Sequence, residues 1–312
     1  MSLQRALELA ERGRWKVRDH PLVGAVVVAD GEVVGEGWYE YEAVRHAEPI
    51  ALEQAGERAR GATLYVTLEP CAHRGRTPPC ADAVVEAGIA RVVVGSRDPN
   101  PKAAGGIERL RAAGVEVELV DSFAARQQNE AWRTWVAERR PFVTYKAAAT
   151  LDGRIALPGE RWVSGEASRR LVHELRAAAD AVAVGAGTAR IDRPQLTARG
   201  VETPKGQPRR IVFGSSLPQG LDLELRPGPL AEELAALAAE GVQSLLLEGG
   251  PTLAAAFVAA DLVDRVLVFV APTLAGEGAG PLAALPEPRR LTRLEARPVG
   301  DDVLLSAYLH EP

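Results

Sequence analysis

The 312-residue chain contains only two cysteines, Cys71 and Cys80, and a proline precedes each of them. A His-Ala-Glu triplet, from His46 to Glu48, comes earlier in the chain. Catalytic zinc binds three protein ligands and keeps a fourth position open for water, and one imidazole with two thiolates supplies that set. Because two thiolates neutralise Zn²⁺, a further group has to take the proton from the bound water, and Glu48 suits this general acid/base role. The residues therefore predict a catalytic zinc site with His46, Cys71 and Cys80 as ligands.

The spacing of the two cysteines departs from the general zinc-deaminase pattern, in which H-x-E is followed by P-C-x-x-C. Eight residues separate Cys71 from Cys80 instead of two. The proline before each cysteine predicts a helix start there, where the helix dipole favours a thiolate. His73 lies between the cysteines and is a rival ligand, but its loop position beside Arg74 and Arg76 favours contact with substrate or solvent. The alternative is that His46 lies on a surface helix and that both cysteines are small buried hydrophobic residues.

Two glycine-containing turns in the second half follow apolar segments, one at Gly185-Ala-Gly-Thr188 and one at Glu248-Gly-Gly-Pro-Thr252. Glycine lets the backbone approach phosphate oxygens, and N–H groups at a helix start can donate to them. Neither turn is a dinucleotide fingerprint, because G-x-G-x-x-G requires glycine at the position of Arg190. The residues alone leave both a phosphate-bearing ligand and an ordinary structural loop open.

Alternating strand and helix patterns have to position these residues. In the first half, strands are predicted over 23–29, 32–37, 62–68, 90–95 and 115–120, and helices over 1–15, 47–59, 79–87 and 108–113. In the second half, strands are predicted over 142–146, 181–185, 210–213, 244–247 and 265–270, and helices over 166–179, 230–240 and 252–260. A charged helix over 122–140 joins the halves, and 218–229 reads as an irregular surface connection. The alternation predicts α/β layered domains with mostly parallel sheets.

Composition and charge exclude several classes of protein. The chain is 46% hydrophobic and 25% charged with a net charge of −5, and acidic residues outnumber basic ones in each half. Nucleic-acid binding surfaces are basic, so no nucleic-acid partner is expected. The apolar runs are too short to span a bilayer, and the N-terminus lacks a signal-peptide pattern. The length predicts two domains, and two cysteines favour a reducing compartment, so we expect a cytoplasmic protein.

The segment from Thr67 to Cys80, TLEPCAHRGRTPPC, together with Asp98-Pro-Asn-Pro101, resembles the bifunctional riboflavin-biosynthesis deaminase/reductase family, which uses this wider cysteine spacing. The resemblance implies a cytidine-deaminase-like α/β/α domain over residues 1–140. It implies His46, Cys71 and Cys80 as zinc ligands and Glu48 as the proton shuttle. The implied reaction is the hydrolytic deamination of a phosphoribosylated diaminohydroxypyrimidine, a small-molecule substrate.

Residues 141–312 resemble the reductase domain of the same family, an α/β domain related in fold to dihydrofolate reductase. The matching stretches are 140–143, 146–153, 185–188, 194–197, 247–253 and 271–274. With the first half, the resemblance covers nearly the whole chain. It implies hydride transfer from NADPH that opens the ribose of the deaminated product to a ribityl chain, the protein supplying position and charge. It also suggests a homo-oligomer, a dimer or larger, formed through the second domain.

The resemblance implies site residues by positional match. NADPH contacts are implied for Ala148, Trp162, Thr188, Asp192, Ser215, Gly250, Pro251, Thr252, Leu253, Ala254, Ala255 and Ala256. Substrate contacts are implied for His20, Arg176, Leu196, Arg199 and Glu248, the two arginines being suited to the phosphate. Lys146 and Glu248 are the candidates beside the reacting ribose carbon.

Four residues depart from the family pattern. His20 stands before Pro-Leu-Val-Gly where the family usually has asparagine, and Tyr39 stands where it often has histidine. Arg193 and Gly214 replace aspartates in the second half. These departures motivate a first alternative, a monofunctional member that retains only the deaminase or only the reductase step. The shared zinc pattern motivates a second, a nucleic-acid-editing deaminase, against which the charge balance argues.

Overall fold

The computed structural model describes residues 2–312 and divides the chain into two compact units. The first unit ends at Ala137 and the second spans Glu138–Glu311, close to the boundary expected at residue 140. Each unit is a β-sheet with helices on both faces, so the predicted α/β fold class is confirmed. None of the helices between residues 2 and 312 is both long and apolar enough to cross a membrane.

The first unit contains six helices and five strands among the described residues. Its helices are α1 (Ser2–Ala10), α2 (Ala47–Ala55), α3 (Cys80–Glu86), α4 (Gly106–Ala112), α5 (Phe123–Gln128) and α6 (Glu130–Glu138). Its strands are β1 (Gly24–Ala29), β2 (Glu32–Trp38), β3 (Thr63–Val66), β4 (Arg91–Val94) and β5 (Glu116–Leu119). Asp30 and Gly31 connect β1 to β2 with positive φ at both positions, as a two-residue hairpin turn requires.

The first sheet has the strand order β2-β1-β3-β4-β5. β1 pairs antiparallel with both β2 and β3, whereas β3, β4 and β5 run parallel, so the expectation of a mostly parallel sheet holds for only part of it. On one face, Ala6 and Leu9 of α1 pack against Val26. Helices α2, α3 and α4 cover the other face with buried aliphatic side chains. The result is an α/β/α arrangement in which α2 and α3 begin on the same side of the sheet.

The second unit contains four further helices and eight strands. Its helices are α7 (Glu166–Ala178), α8 (Ala186–Asp192), α9 (Leu230–Ala239) and α10 (Pro251–Ala259). Its strands are β6 (Phe142–Thr150), β7 (Ala181–Gly185), β8 (Arg209–Phe213), β9 (Glu224–Arg226), β10 (Ser244–Leu247), β11 (Arg265–Ala271), β12 (Thr292–Val299) and β13 (Asp302–Tyr308).

The second sheet has the strand order β12-β13-β11-β6-β10-β7-β8-β9. The six strands from β11 to β9 are mutually parallel, and β13 and β12 add an antiparallel edge. On one face Val143 and Leu245 pack against α9 and α10. On the other, Val172 of α7 packs against Phe269. The parallel strands β7, β8 and β10 therefore end at one edge of the sheet, where ligands of α/β folds usually bind.

Some predicted elements differ from the structure. The helix expected over 122–140 is two helices that break at Asn129, and the helix expected over 47–59 ends at Ala55 before a 3₁₀ turn. The connection expected to be irregular over 218–229 contains the short strand β9. No prediction covered α8, β12 or β13. Seven of the eight residues of β12 are exposed, so its sequence carries no burial pattern that would indicate a strand.

Candidate active sites

Three side chains from three separate segments meet in the first unit. His46 immediately precedes α2, Cys71 lies in the loop after β3, and Cys80 is the first residue of α3. His46 Nδ1 is 3.1 Å from Cys80 Sγ and 3.8 Å from Cys71 Sγ. All three ligand atoms lie within 4.8 Å of one another. The expected helix start is therefore right for Cys80 and wrong for Cys71, which has irregular backbone.

This donor set fits a tetrahedral zinc ion. Zinc bonds of roughly 2.0 Å to nitrogen and 2.3 Å to sulfur place two ligand atoms about 3.5 Å apart, which matches the nitrogen–sulfur separations here. Both sulfurs are buried, and Cys71 Sγ accepts a hydrogen bond of 3.3 Å from the Cys80 backbone N–H. The hydrogen bond from the Cys80 thiol, together with His46, lowers the pKa of Cys71 to about 4 against the opposing effect of burial. The pair therefore favours an anionic sulfur beside the imidazole.

Glu48 lies in the first turn of α2, next to this cluster, and only 3% of its surface is exposed. Burial raises the pKa of Glu48 to about 7; His46 opposes this shift and the negative charge of Cys71 adds to it. A carboxyl group with this pKa can both accept and release a proton near neutral pH. The geometry is thus suited to the general acid/base role that the sequence indicates.

A cavity of about 450 Å³ opens onto the cluster. His46, Glu48 and Cys71 line it, and the predicted substrate residue His20 lines the same cavity. His73 also lies on its wall but outside the three-residue metal cluster. Other lining residues are Asp19, Pro21, Tyr39, Glu69, Arg76, Thr77, Asp98, Asn100, Trp132, Trp135 and Val136.

Two buried polar side chains that sequence reasoning missed shape this cavity. The Glu69 carboxylate accepts hydrogen bonds from the backbone N–H groups of Asp98, Gly105 and Ile107, at 3.2, 2.9 and 3.2 Å. It thereby holds the Asp-Pro-Asn-Pro segment at the cavity wall, where burial raises the pKa of Asp98 to about 6. Asn129 is also buried, and its side-chain amide pairs with both backbone groups of Leu22, which lies between the lining residues Pro21 and Val23. Glu69 lies within the Thr67–Cys80 segment that carries the family resemblance, but nothing local in the sequence indicates its hydrogen-bonding role.

In the second unit, a buried ionic group forms where β6 and β10 lie side by side. The register pairs Tyr145 with Leu247, so Lys146 and Glu248 are the next residues on the two strands. Lys146 Nζ is 4.0 Å from Glu248 Oε2. Arg176 of α7 donates to both carboxylate oxygens of Glu248, from Nε at 2.6 Å and from Nη2 at 2.9 Å. The structure therefore brings together both candidate catalytic residues.

The electrostatics of this group are asymmetric. Burial raises the pKa of Glu248, but the Arg176 hydrogen bonds and the charge of Lys146 outweigh burial, and the net shift is downward. Burial lowers the pKa of Lys146, with Glu248 opposing and Arg176 adding to the shift. The neighbouring cations thus favour the charged form of Glu248, whereas burial disfavours the charged form of Lys146.

The predicted substrate residues of the second unit occupy different environments. Arg176 uses Nη1 for the Thr197 carbonyl in addition to its two contacts with Glu248, so its guanidinium is largely committed within the protein. Arg199 is exposed and contacts the Gln195 side chain and Thr197 Oγ1. Leu196 has φ of +55° and a fully buried side chain. Of the two arginines expected at a phosphate, Arg199 is the more accessible.

The two glycine turns of the second unit lie against each other. Thr188 Oγ1 accepts a hydrogen bond of 3.1 Å from Gly250 N–H, which joins the turn after β7 to the turn after β10. Pro251 is the first residue of α10, and residues 251–256 form its first turns, with Ala254 and Ala255 buried. A glycine-bounded helix start of this kind is one at which phosphate groups can bind.

The remaining predicted cofactor residues belong to four different segments. Ser215 follows β8 and is exposed, and Asp192 is the exposed last residue of α8. Ala148 lies two residues beyond Lys146 on β6, on the same face of the sheet. Trp162 precedes α7 and is half exposed, with two arginine side chains stacked on it.

The structure explains one departure from the family pattern. Gly214 has φ of +149°, and a Cβ there would lie 2.7 Å from Ala186 Cβ, so an aspartate does not fit this backbone. Arg193 has φ of +42° at the end of α8 and donates to the Gln219 carbonyl.

Comparisons with known proteins agree with both halves of this description. Residues 1–96 match the family model for the cytidine and deoxycytidylate deaminase zinc-binding region, and residues 141–305 match the RibD C-terminal domain. Riboflavin biosynthesis protein RibD of Aquifex aeolicus is 40% identical, covering 96% of this chain and 95% of that protein. The RibD protein of Escherichia coli is 38% identical and covers 97% of each chain.

Solved structures give the same result. RibD of Acinetobacter baumannii superposes with a TM-score of 0.82 at 34% identity, covering 98% of this chain and 97% of that one. A diaminohydroxyphosphoribosylaminopyrimidine deaminase/5-amino-6-(5-phosphoribosylamino)uracil reductase from Thermotoga maritima has a TM-score of 0.80 at 35% identity, with the same coverage. Coverage of both domains argues against the monofunctional alternative, and the cofactors of such a chain are zinc and NADPH. The chain belongs, over nearly its whole length, to the RibD family of bifunctional riboflavin biosynthesis proteins.

Proposed function

We propose that the chain catalyses two consecutive steps of riboflavin biosynthesis. The first is hydrolytic deamination of a phosphoribosylated diaminohydroxypyrimidine in the cavity of the first unit. The second is NADPH-dependent reduction of the product's ribose to a ribityl chain in the second unit. One observation carries the proposal: an imidazole and two sulfurs from three segments lie within 4.8 Å of one another, beside a cavity that the buried Glu48 carboxylate also lines. The net charge of −5 favours a small-molecule substrate over a nucleic acid.

In the first unit, His46, Cys71 and Cys80 would hold the zinc ion. Zinc, when bound, supplies a Lewis acid that makes water a nucleophile at neutral pH. Glu48 accepts one proton from the attacking water and delivers it to the pyrimidine ring nitrogen as the hydroxyl adds to the ring carbon. It then takes the remaining hydroxyl proton and delivers it to the amino group, which leaves as ammonia while the carbonyl forms. Its pKa near 7 allows both transfers within one turnover.

In the second unit, Lys146 acts on the ribose, and Glu248 and Arg176 position it. NADPH, when bound, supplies the hydride that adds to the first ribose carbon. The bond between this carbon and the ring oxygen breaks, and the Lys146 ammonium donates the proton that the oxygen gains. Glu248 keeps Lys146 in place, and Arg176 holds Glu248 as the anion. Arg199, being accessible, contributes to binding of the substrate phosphate.

We further propose a homo-oligomer assembled through the second unit, in the cytoplasm. The exposed edge strand β12, which carries the exposed Leu294, supports the first proposal, since an unpaired edge is a template for pairing with another chain. Two thiol groups at the metal cluster, which need a reducing environment, support the second. Light scattering of the purified protein tests the assembly: a monomeric mass would reject it.

Separate loss of the two activities tests the two-step function. The zinc-loaded protein is given the aminopyrimidine substrate, and ammonia release and NADPH oxidation are followed separately. Glu48→Gln should abolish ammonia release but still oxidise NADPH when the deaminated intermediate is supplied, and Lys146→Met should do the reverse. Glu53→Gln, on the exposed side of α2, is the matched control and should retain both activities. If one substitution abolishes both activities in folded protein, the assignment of two independent sites is wrong.

A further inference from the structure

A long connection without helix or strand joins β11 to β12 in the second unit. It comprises residues 272–291, and most of its side chains are exposed. Connections longer than about 12–15 residues in compact domains are usually either functional or disordered. Residues 273–283 of this connection, which we call the strap, are tied to the rest of the unit at several points. Two backbone hydrogen bonds align the strap with the turn after β6, from Leu151 N–H to the Thr273 carbonyl at 2.9 Å and from Ile155 N–H to the Ala279 carbonyl at 3.1 Å.

Two charged side chains of the same turn hold the strap from both sides of its backbone. Asp152 accepts hydrogen bonds from the N–H groups of Ala275 and Gly276, at 3.0 Å to Oδ1 and 2.7 Å to Oδ2. Arg154 donates to the carbonyls of Gly276 and Gly278, from Nε at 2.8 Å and from Nη1 at 3.0 Å. The turn therefore pairs backbone donors and acceptors that an irregular segment otherwise leaves to water.

The Asp152 carboxylate is itself fixed in place. Thr150 Oγ1 donates to Asp152 Oδ1 at 2.5 Å and in turn accepts from the Arg154 N–H at 2.9 Å. The hydrogen bond from Thr150, together with those from the strap, lowers the pKa of Asp152 to about 2. The carboxylate is therefore anionic at neutral pH and accepts hydrogen bonds at both oxygens. An asparagine cannot replace it, because the amide nitrogen only donates.

The strap has two more attachments, which involve the start of α10 and the strand β6. Ala283 N–H donates to the Pro251 carbonyl at 3.2 Å, and the Tyr145 hydroxyl donates to the Pro281 carbonyl. Pro251 is the first residue of α10, and Tyr145 directly precedes Lys146 on β6. The strap therefore connects the end of β6, the strand that carries Lys146, with the helix start at which phosphate groups can bind.

We propose that Asp152 and Arg154 are positioning residues for the reduction step, because through the strap they set the place of the α10 start relative to Lys146. This inference rests on the reductase function proposed above. The two residues before Pro251 are glycines, which give this turn little conformational restraint of their own, and the strap supplies a restraint. Hydride transfer requires the reacting atoms to approach to about 3–3.5 Å, so a small displacement of one binding segment lowers the rate steeply.

Kinetics of NADPH oxidation in the full-length chain, with the deaminated intermediate supplied, test the proposal. Asp152→Asn keeps the size of the side chain but places an amide N–H₂ group against a backbone N–H of the strap. The kcat should fall about tenfold and KM for NADPH should rise by about threefold or more, while KM for the intermediate changes less than about twofold. Arg154→Met should have a similar effect. The double variant should stay within about twofold of the more affected single variant, since either change opens the same attachment.

The matched control is Asp222→Asn, because Asp222 is 98% exposed and pairs with Arg210 at the surface of the same unit. This variant should keep kcat and both KM values within about twofold of the original values. Ammonia release should be unchanged in every variant, since the first unit carries the deaminase site.

Hydrogen exchange of the cofactor-free protein separates this positioning role from a local structural one. Peptides at the start of α10, residues 250–256, should exchange about tenfold faster in Asp152→Asn, while peptides of α9 keep their rates. Tyr145→Phe keeps the ring in the core but removes the attachment at Pro281, and it should give the same pattern. Unchanged exchange at the start of α10 in all three single variants, or unchanged kcat and KM in Asp152→Asn, would overturn the proposal. Failure of the unsubstituted protein to oxidise NADPH would instead refute the reductase function.

Discussion

Substitution of Arg176 by methionine perturbs the buried ionic group of the second unit at a single point. The side chains of Arg176 and Glu248 are 14% and 10% exposed, and the guanidinium donates twice to the carboxylate. Methionine keeps the aliphatic stem but removes both hydrogen bonds. Lys146, 4.0 Å away, then becomes the remaining charged partner of Glu248 in this group.

The magnitude follows from the burial of the pair. Removing one partner of a buried ion pair costs about 3–5 kcal/mol, and the lower end applies because Lys146 remains nearby. A loss of about 3 kcal/mol in the free energy of unfolding corresponds to a decrease of about 6–12 °C in Tm for a unit of this size. The kcat for NADPH oxidation should also fall, because Glu248 is no longer held beside Lys146.

The loss should depend on pH in a defined direction. The folded-state pKa of Glu248 lies below its ordinary value, since Arg176 and Lys146 outweigh burial. Its contribution to stability is therefore present above the unfolded pKa and is lost as pH falls through the folded pKa. In Arg176→Met burial dominates and the folded pKa rises, so the carboxyl group protonates at higher pH. The difference in stability from the unsubstituted protein should be larger at pH 8 than at pH 5.

Urea-dependent hydrogen exchange with mass spectrometry measures this effect in the second unit alone, from peptides of β6 and β10. Arg170→Met is the matched control on the same helix, because Arg170 is 75% exposed and pairs only with Glu174 at the surface. It should change stability by less than about 0.5 kcal/mol. Ammonia release should be unaffected in both variants. Equal stabilities for the two variants, or a loss at Arg176 that is independent of pH, would refute this account of Glu248.

Three further substitutions test other parts of the structure. Cys80→Ser should lose bound zinc and ammonia release but retain NADPH oxidation. His73→Ala, which lies outside the metal cluster, should keep one equivalent of zinc by elemental analysis. Equal zinc contents in the two variants would contradict the ligand set. Gly214→Asp places a Cβ 2.7 Å from Ala186 Cβ and should lower the free energy of unfolding in urea by about 1–3 kcal/mol. Unchanged stability would show that this backbone tolerates a side chain. Asp302→Ala removes the buried carboxylate that accepts hydrogen bonds from two donors at the start of α7, and it should lower the free energy of unfolding by about 2 kcal/mol. A decrease below about 0.5 kcal/mol by calorimetry, the size expected for an exposed residue, would contradict its capping role.

The two units use buried carboxylates in opposite ways. In the first unit, burial dominates and raises the pKa of Glu48 to about 7, which suits proton transfer. In the second unit, two cations outweigh burial at Glu248, which stays charged and orients a lysine. Environments that push pKa values apart in this way separate acid/base groups from fixed charges. This contrast supports the proposed roles of Glu48 as the proton carrier and of Glu248 as the fixed charge beside Lys146.

Local chemistry and most of the elements could be predicted from the sequence. The strands 181–185 and 244–247 have the predicted bounds, because continuous apolar segments between turn residues indicate buried strands. The convergence of the His-x-Glu triplet with both cysteines could be predicted because few other residue sets supply such a donor group. The strand β12 could not, since it is exposed on both faces and shows no alternation.

The sequence could not indicate the contacts between residues that are far apart in the chain. Asn129 and Leu22 are 107 positions apart, and nothing local marks an asparagine inside a helical pattern as a clamp for a distant turn. Arg176 was expected at the substrate phosphate, but its contacts with Glu248, 72 positions away, are visible only in the fold. Contacts such as these, between side chains or backbone groups far apart in the chain, cannot be predicted from local sequence patterns.

X-ray absorption at the zinc edge tests the central claim most directly. If His46, Cys71 and Cys80 bind the ion, the protein should show two sulfur neighbours at about 2.3 Å and lighter neighbours at about 2.0 Å, at one zinc per chain. Cys80→Ser, which is expected to lose the ion, should show no bound zinc in the same measurement. A zinc environment without sulfur, in protein that still releases ammonia, would contradict the proposed site.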